Sequence, residues 1–331
     1  MKAIQVNQFA TPEAITLETV PSPTPAAGQV LIQVQAAGVN PADWYVVNGF
    51  FQLPPALPVT PGFESAGEIL AIGTGVEGLK VGDRVLAVLP YLNDGTATFG
   101  AFAEQLVVPA AHVLHIPANM EFVTAAAIPV MYGTAHIALT HRAQLQPGET
   151  LLVTGASGTT GSAAVQIGKR LGATVIATAS GAEKIARVQQ LGADVVIDYR
   201  QEDVAQRLQE ITDSRGADIV FETVGGELFQ TVLTAIAPEG RVLPIGAASG
   251  SIPDVGIMAL LAGNFSIIGT DFAYYTLKRV DLVQQSLSTL LGWSLNGFFD
   301  AINLKTAPLP QAAEVIEQVH KGAGARLVLL P

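Results

Sequence analysis

Gly155, Gly158 and Gly161 stand between an apolar run and an amphipathic one. The stretch reads Leu151-Leu-Val-Thr-Gly-Ala-Ser-Gly-Thr-Thr-Gly-Ser-Ala-Ala-Val-Gln-Ile-Gly-Lys-Arg-Leu-Gly-Ala173. Glycines at this spacing let backbone amides approach a phosphate. A helix starting at Gly161 adds free N–H groups and the positive end of its dipole. The chemistry this serves is pyrophosphate binding by Ala156-Ser157-Gly158-Thr159-Thr160-Gly161, with Ala156 where the G-x-G-x-x-G pattern has its first glycine. Two rival loops fit less well. A Walker loop needs Gly-Lys-Ser/Thr, and the chain has Gly161-Ser-Ala163. A short-chain reductase turn needs glycine at Thr159 and lies near the N-terminus, although that family's Tyr-x-x-x-Lys does occur as Tyr274 to Lys278.

Cofactor choice is also written here. Dinucleotide folds that prefer NAD place an acid at the end of the second strand, about 20 residues past the turn. This strand ends Thr178-Ala-Ser-Gly181, so Ser180 holds the acidic position and nothing there repels a 2′-phosphate. Lys184 can bring an ammonium beside it, and Tyr199 can donate a hydrogen bond, with Arg200 as an additional candidate. The expected cofactor is NADPH. The alternative for Lys184 is a solvated helix charge. Glu183 is expected to face solvent.

The elements that must position these residues follow from the apolar pattern. Leu151–Val153 reads as a buried parallel strand, and Ala164, Ile167 and Leu171 repeat at helical spacing. Strands and helices then alternate: strand from Thr174, helix 182–191, strand 194–197, helix 202–212, strand 218–222, helix 227–236, strand 241–245 and a last strand near 266–268. This rhythm predicts an α/β doubly wound parallel sheet. Gly246 and Ala247 follow its fifth strand, at the carboxyl edge where ligands sit, or else Gly246 is an ordinary strand-end glycine. Residues before about 124 read differently, as short strands with glycine turns at 29–35, 68–72, 83–88, 103–108 and 113–116, which suggests a β barrel. Residues 123–139 read as helical. After Leu277 come helices near 278–291 and 310–319 and a strand 326–330.

Composition narrows the classes. The chain has 331 residues, 49% of them hydrophobic, a formal net charge of −11 and no cysteine. That length accommodates two domains. The absence of cysteine excludes disulfides and thiolate-bound metals. The acidic balance argues against nucleic acid. The most apolar region, Val255 to Gly269, is broken by Asn264 and glycines, so no membrane span is expected. The N-terminus shows no apolar signal core, and a cytoplasmic protein is expected. The five histidines, His112, His115, His136, His141 and His320, are too scattered for a metal site, so no metal is expected.

These residues resemble the medium-chain dehydrogenase/reductase superfamily, and within it the zinc-free, zeta-crystallin-like NADPH:quinone oxidoreductases. Gly148-Glu149, Leu152, Ala156-Ser-Gly158, Gly161, Gln166 and Lys169 follow the quinone oxidoreductase signature, and Thr159 replaces its glycine. Gly38-Val-Asn-Pro-Ala-Asp43 is similar to the segment where zinc-dependent relatives carry a ligand cysteine, here Asn40. Pro61-Gly-Phe-Glu64 is similar to their Gly-His-Glu, with Phe63 for the histidine, and the cysteine-rich lobe between Pro90 and Glu104 is missing. The resemblance implies a GroES-like barrel, residues 1–124 and 275–331, interrupted by a Rossmann NADPH-binding domain, residues 125–274. It also implies a homodimer paired through the strand near Phe265–Gly269.

The resemblance places Asn40 and Tyr45 at the nicotinamide pocket, Thr134 against the nicotinamide, and Lys184 and Tyr199 at the 2′-phosphate. Without a Lewis acid, a carbonyl must be polarised by hydrogen bonds, which the Asn40 amide and the Tyr45 phenol can donate. The plainer alternatives are a turn-capping Asn before Pro41, a packed aromatic with its hydroxyl at the surface, and for Thr134 a helix threonine bonding its own backbone. The function implied is hydride transfer from NADPH to a small-molecule quinone or α,β-unsaturated carbonyl. Two alternatives stay open. One is an enoyl-thioester reductase, although those relatives carry a proton-donating tyrosine where Phe50 and Phe51 stand. The other is an NADPH-binding non-enzyme of the crystallin or vesicle-protein type.

Overall fold

The structure, a computed structural model, describes residues 1–50, 54–90, 100–299, 302–322 and 324–331. Phe51 and the segment 91–99 lie outside the described residues. The chain forms two compact units, Met1–Gly133 with Phe272–Pro331, and Thr134–Asp271.

The first unit opens with a two-stranded antiparallel ribbon, β1 (Lys2–Val6) and β2 (Ile15–Thr19). Next comes β3 (Gln29–Gly38), whose Val30, Ile32 and Val34 share one buried face, as their alternation predicts. The short helix α1 (Pro41–Val47) starts at a proline. Then come β4 (Glu64–Ile72), β5 (Arg84–Val88), β6 (Gln105–Pro109) and β7 (Val113–His115). Strand β3 pairs antiparallel with β4 and β6, β4 with β5, and β5 with β7. Helix α2 (Phe122–Ala126) follows, and α3 (Pro129–His136), prolonged by a π-helical stretch, Ile137–Arg142, carries the chain from the first unit into the second. The helical run expected over 123–139 is thus broken at Pro129, which lacks the N–H a continuous helix needs there.

The second unit holds β8 (Thr150–Val153), α4 (Thr159–Arg170), β9 (Thr174–Ala179), α5 (Ala182–Gln190), β10 (Val195–Asp198), α6 (Val204–Ile211), β11 (Ala217–Glu222), α7 (Gly226–Leu233), β12 (Ile236–Pro244), α8 (Ile257–Gly263) and β13 (Ser266–Ile267). All its strand pairs are parallel, in the order β10-β9-β8-β11-β12-β13. The order reverses between β8 and β11, which makes their carboxyl ends the switch point where such sheets bind ligands. Its core packs Leu152, Ile176, Ile197, Leu208, Val220, Phe229 and Val242 from strands and helices alike.

The chain then returns to the first unit through α9 (Phe272–Lys278), α10 (Val280–Ser294), β14 (Leu304–Pro308), α11 (Ala312–His320) and β15 (Arg326–Leu330). Strand β15 lies antiparallel to β3 and parallel to β14, so this unit has a mixed sheet. The two units are a GroES-like mixed-sheet domain and a Rossmann-like parallel-sheet domain.

Candidate nucleotide and acceptor sites

In the second unit, the turn from β8 to α4 is built on glycine. Gly155 has φ +57°, a backbone conformation that disfavours any side chain with a Cβ. Helix α4 begins at Thr159, earlier than the Gly161 start expected from sequence, because Gly158 takes the N-cap position with extended backbone. The first-turn amides of Thr159, Thr160 and Gly161 therefore lack intrahelical acceptors, as at any helix start. A Cβ on Gly161 would overlap the Gly155 carbonyl oxygen, so this glycine allows the close packing of helix on turn. The Ala156 N–H donates to the Thr178 carbonyl at 3.3 Å, which ties the turn to the end of β9. Ala156 is buried, Ser157, Thr159 and Thr160 are half-buried, and Gly158 is exposed. No acidic residue occurs between Thr154 and Ser162. Free first-turn amides in a turn that itself carries no acidic residue suit a pyrophosphate.

The neighbouring strand ends collect the other expected cofactor residues. Asp198 of β10 is in register with Ala179 of β9, so Ser180 and Tyr199 each follow directly on a paired position at adjacent strand ends. Lys184 lies exposed in the first turn of α5, with Glu183 also exposed, as expected, and Arg200 exposed beside Tyr199. Gly246 and Ala247 follow β12 at the same edge of the sheet. Thr134 lies half-buried on α3.

Sequence reasoning did not single out Glu222. It ends β11 fully buried, and its Oε1 accepts from the Thr154 hydroxyl at 2.9 Å and from the Val224 and Gly225 N–H groups at 2.8 and 3.0 Å. The available signal was an acid closing the apolar run Ile219-Val-Phe221 just before Thr223-Val-Gly-Gly226. A buried carboxyl needs several donors, and a strand end at a switch point supplies them.

In the first unit, Asn40 stands before Pro41 as the N-cap of α1 and is only 2% exposed. Its Nδ2 donates to Glu64 Oε1 at 2.6 Å, and its Oδ1 accepts from Arg326 Nη1 at 3.1 Å. Arg326 also pairs with Glu64 and donates to the Val39 carbonyl. Among the described residues, one of the two Asn40 amide hydrogens is thus committed and the other makes no hydrogen bond. Glu64 Oε2 accepts from the Val130 N–H at 2.7 Å. Asp43 completes the cluster by accepting from the Asn40 and Gly62 N–H groups at 2.7 and 3.0 Å. Burial pushes the Asp43 carboxyl up to about 8, reinforced by nearby Glu64 and opposed by its backbone donors and Arg326.

Tyr45 faces outward on α1, 41% exposed, and among the described residues its phenol makes no hydrogen bond. Its ring meets Trp44 and His320 edge-on, at 5.4 and 6.3 Å, while Trp44 and His320 stack at 3.8 Å. The Trp44 indole N–H donates to Glu317 at 3.0 Å. Phe50 lies tilted against Trp44.

Comparison with known proteins places these units. Residues 26–118 fit the alcohol dehydrogenase GroES-like domain, and residues 159–287 the zinc-binding dehydrogenase domain. The chain is 35% identical over 296 residues to quinone oxidoreductase-like protein 2 homolog of Nematostella vectensis, covering 89% of this chain and 79% of that protein. It is 32% identical over 333 residues to human quinone oxidoreductase, covering 100% of this chain and 98% of that protein. The chain belongs to the quinone oxidoreductase family of the medium-chain dehydrogenases/reductases. Among solved structures, the quinone oxidoreductase of Pseudomonas syringae pv. Tomato DC3000 superposes with TM-score 0.90 at 30% identity, covering 100% of this chain and 99% of that one. The Escherichia coli quinone oxidoreductase complexed with NADPH superposes with TM-score 0.89 at 26% identity over the whole of both chains.

This quinone oxidoreductase relative differs from zinc enzymes in its donor set. Asn40 and Phe63 occupy the positions likened to zinc ligands, and among the described residues no three His, Cys, Asp or Glu side chains gather as a metal site. No helix of the described residues is long and apolar enough to cross a membrane.

Proposed function

We propose that this chain transfers hydride from NADPH to a quinone or an α,β-unsaturated carbonyl without zinc. The observation that carries this reading is the whole-chain likeness to an NADPH-complexed quinone oxidoreductase, combined with a glycine cradle that suits a pyrophosphate. Bound NADPH supplies hydride from C4 of its ring, and with one proton the acceptor is reduced as NADP+ is released. The Thr159, Thr160 and Gly161 amides hold the pyrophosphate, with Ala156, Ser157 and Gly158 shaping its turn. Ser180 leaves room for the 2′-phosphate, which Lys184 and Tyr199 bind. Gly246, Ala247 and Thr134 flank the nicotinamide. Tyr45 donates its phenolic proton to the acceptor oxygen as negative charge develops there. The remaining Asn40 N–H adds a second donor, held in place by Glu64 and Arg326.

The assembly proposed is a cytoplasmic homodimer. Among the described residues, strand β13 ends the parallel sheet and leaves one edge to pair. Just before it, α8 exposes Ile257, Met258 and Leu261 to 78, 66 and 68%. A contiguous apolar face of this kind marks a contact surface.

Steady-state consumption of NADPH against quinones, enones and an enoyl thioester tests the function. Turnover of a quinone or enone is expected, and Tyr45→Phe should lower kcat with NADPH affinity nearly unchanged. Tight NADPH binding with no turnover of any acceptor would favour a nucleotide-binding non-enzyme. Turnover confined to the thioester would favour an enoyl reductase.

A further inference from the structure

Residues 223–225 form a short bridge between two loops at the carboxyl edge of the Rossmann-like sheet. On one side they wall the glycine turn. The Thr223 hydroxyl donates to the Thr154 carbonyl at 2.9 Å, and a Cβ on Gly155 would overlap the Thr223 hydroxyl and lie 3.1 Å from Val224 Cγ2. On the other side they carry the loop after β12. The Ala248 N–H donates to the Thr223 carbonyl at 3.0 Å, and the Ser249 N–H to the Val224 carbonyl at 2.8 Å. A Cβ on Gly246 would meet that same Thr223 carbonyl at 3.3 Å. Both loops to which the cofactor is assigned therefore lean on these three residues.

One buried pair of side chains fixes the bridge. Glu222 accepts the Val224 and Gly225 N–H groups, and its Oε2 also accepts from Gly225 at 3.0 Å. Thr154, on the neighbouring strand end, donates its hydroxyl to Glu222 and accepts the Thr223 N–H at 3.0 Å. Both residues have no exposed surface. Every bond in this set crosses from β8 to β11 or folds back from the end of β11, so the pair locks the two central strand ends where the strand order reverses.

We infer that Thr154 and Glu222 are positioning residues for NADPH: they touch no cofactor but set the distance between the glycine turn and the loop after β12. The inference rests on the assignment of the cofactor to those two loops. Removing the Thr154 hydroxyl leaves the Thr223 N–H without its acceptor and takes one donor from Glu222. The bridge then relaxes, and the loops lose their preformed spacing. Binding NADPH must restore that spacing, so the cost falls on affinity.

The experiment measures NADPH dissociation constants by fluorescence, together with melting temperature and kcat at saturating NADPH, for wild type, Thr154→Val, Thr154→Ser and Glu222→Gln. Thr154→Val should bind NADPH roughly tenfold more weakly, the order of effect expected for one lost buried hydrogen bond. Its kcat should stay near wild type. Thr154→Ser keeps the hydroxyl and should bind as wild type does. Glu222→Gln keeps one acceptor oxygen but puts an N–H donor at the second oxygen that Gly225 contacts, and should weaken binding in the same direction as Thr154→Val. A lower melting temperature in Thr154→Val with NADPH affinity unchanged would show a purely structural pair and overturn the inference. Equal loss of affinity in Thr154→Ser and Thr154→Val would overturn it too. Wild-type protein that binds no NADPH would overturn the cofactor assignment itself, a result distinct from both.

Discussion

Ser180 and Lys184 are the two side chains proposed to decide cofactor choice. No acid stands at the end of β9, and an exposed ammonium lies one helical turn on. A charge-assisted contact to phosphate contributes roughly 1.5–3 kcal/mol. Lys184→Ala should therefore weaken NADPH binding by about one to two decades and leave NADH nearly unaffected. Equal loss of both cofactors, measured by titration, would show that Lys184 acts on the fold instead. Asp43 makes a different prediction. Burial raises its carboxyl to about 8, against the ordinary 3.8. Such an acid stabilises the folded chain fully below about 4, and the contribution drains away as pH rises through 8. Melting temperature should fall between pH 5 and pH 8.5, and Asp43→Asn should flatten that slope; an unchanged slope in the variant would assign the pH dependence to other groups. The glycine turn and the strand end at Ser180, both local in sequence, were legible beforehand as elements of the fold. The Asn40–Glu64–Arg326 cluster was not, because Arg326 lies 286 positions from Asn40 and 262 from Glu64. Only the fold brings β15 back beside β3.

Elements with a strong period were readable, and those without one were not. The alternation of strand and helix from Thr150 onward carries the doubly wound sheet, whose central strands hold short apolar runs, residues 151–153 and 219–221. Strand β14, Leu304-Lys-Thr-Ala-Pro308, went unread because it ends its sheet and has neither alternation nor a buried residue. Strand β1 went unread for the opposite reason: Ala3 to Val6 are all buried, so it too lacks alternation. The start of α4 was misplaced because the third glycine looks like the cap, while Gly158 takes that role. The turn itself gives a prediction. A methyl group on Gly161 would overlap the Gly155 carbonyl, and its other near neighbour, the Ala156 Cα at 3.0 Å, is also backbone. Turn and helix must separate. Overpacking of this kind costs about 1–3 kcal/mol. Gly161→Ala should thus lower both melting temperature and NADPH affinity. Wild-type affinity in a well-folded Gly161→Ala protein would remove this turn from the cofactor site.

At the scale of the whole molecule, a GroES-like unit is assembled from both ends of the chain, and the residues between them in sequence form a continuous Rossmann-like unit. The composition fits this arrangement: 49% of the residues are hydrophobic, and the Rossmann-like sheet buries parallel strands. The proposed homodimer would use the edge of β13 that is unpaired among the described residues and the apolar face of α8, so light scattering at micromolar concentration should give twice the chain mass, and a replacement such as Leu261→Asp should lower it. A monomeric wild type would refute that assembly. The central claim, hydride transfer from NADPH, is tested most directly by isotope. NADPH carrying deuterium on one face of C4, and separately on the other, is oxidised by the protein with a quinone or enone acceptor, and the recovered NADP+ is weighed by mass spectrometry. The account predicts that one labelled form yields NADP+ free of deuterium and the other yields NADP+ that keeps it, because a fixed acceptor takes hydride from a single face. No oxidation with any acceptor, or equal loss of label from both faces, would contradict it.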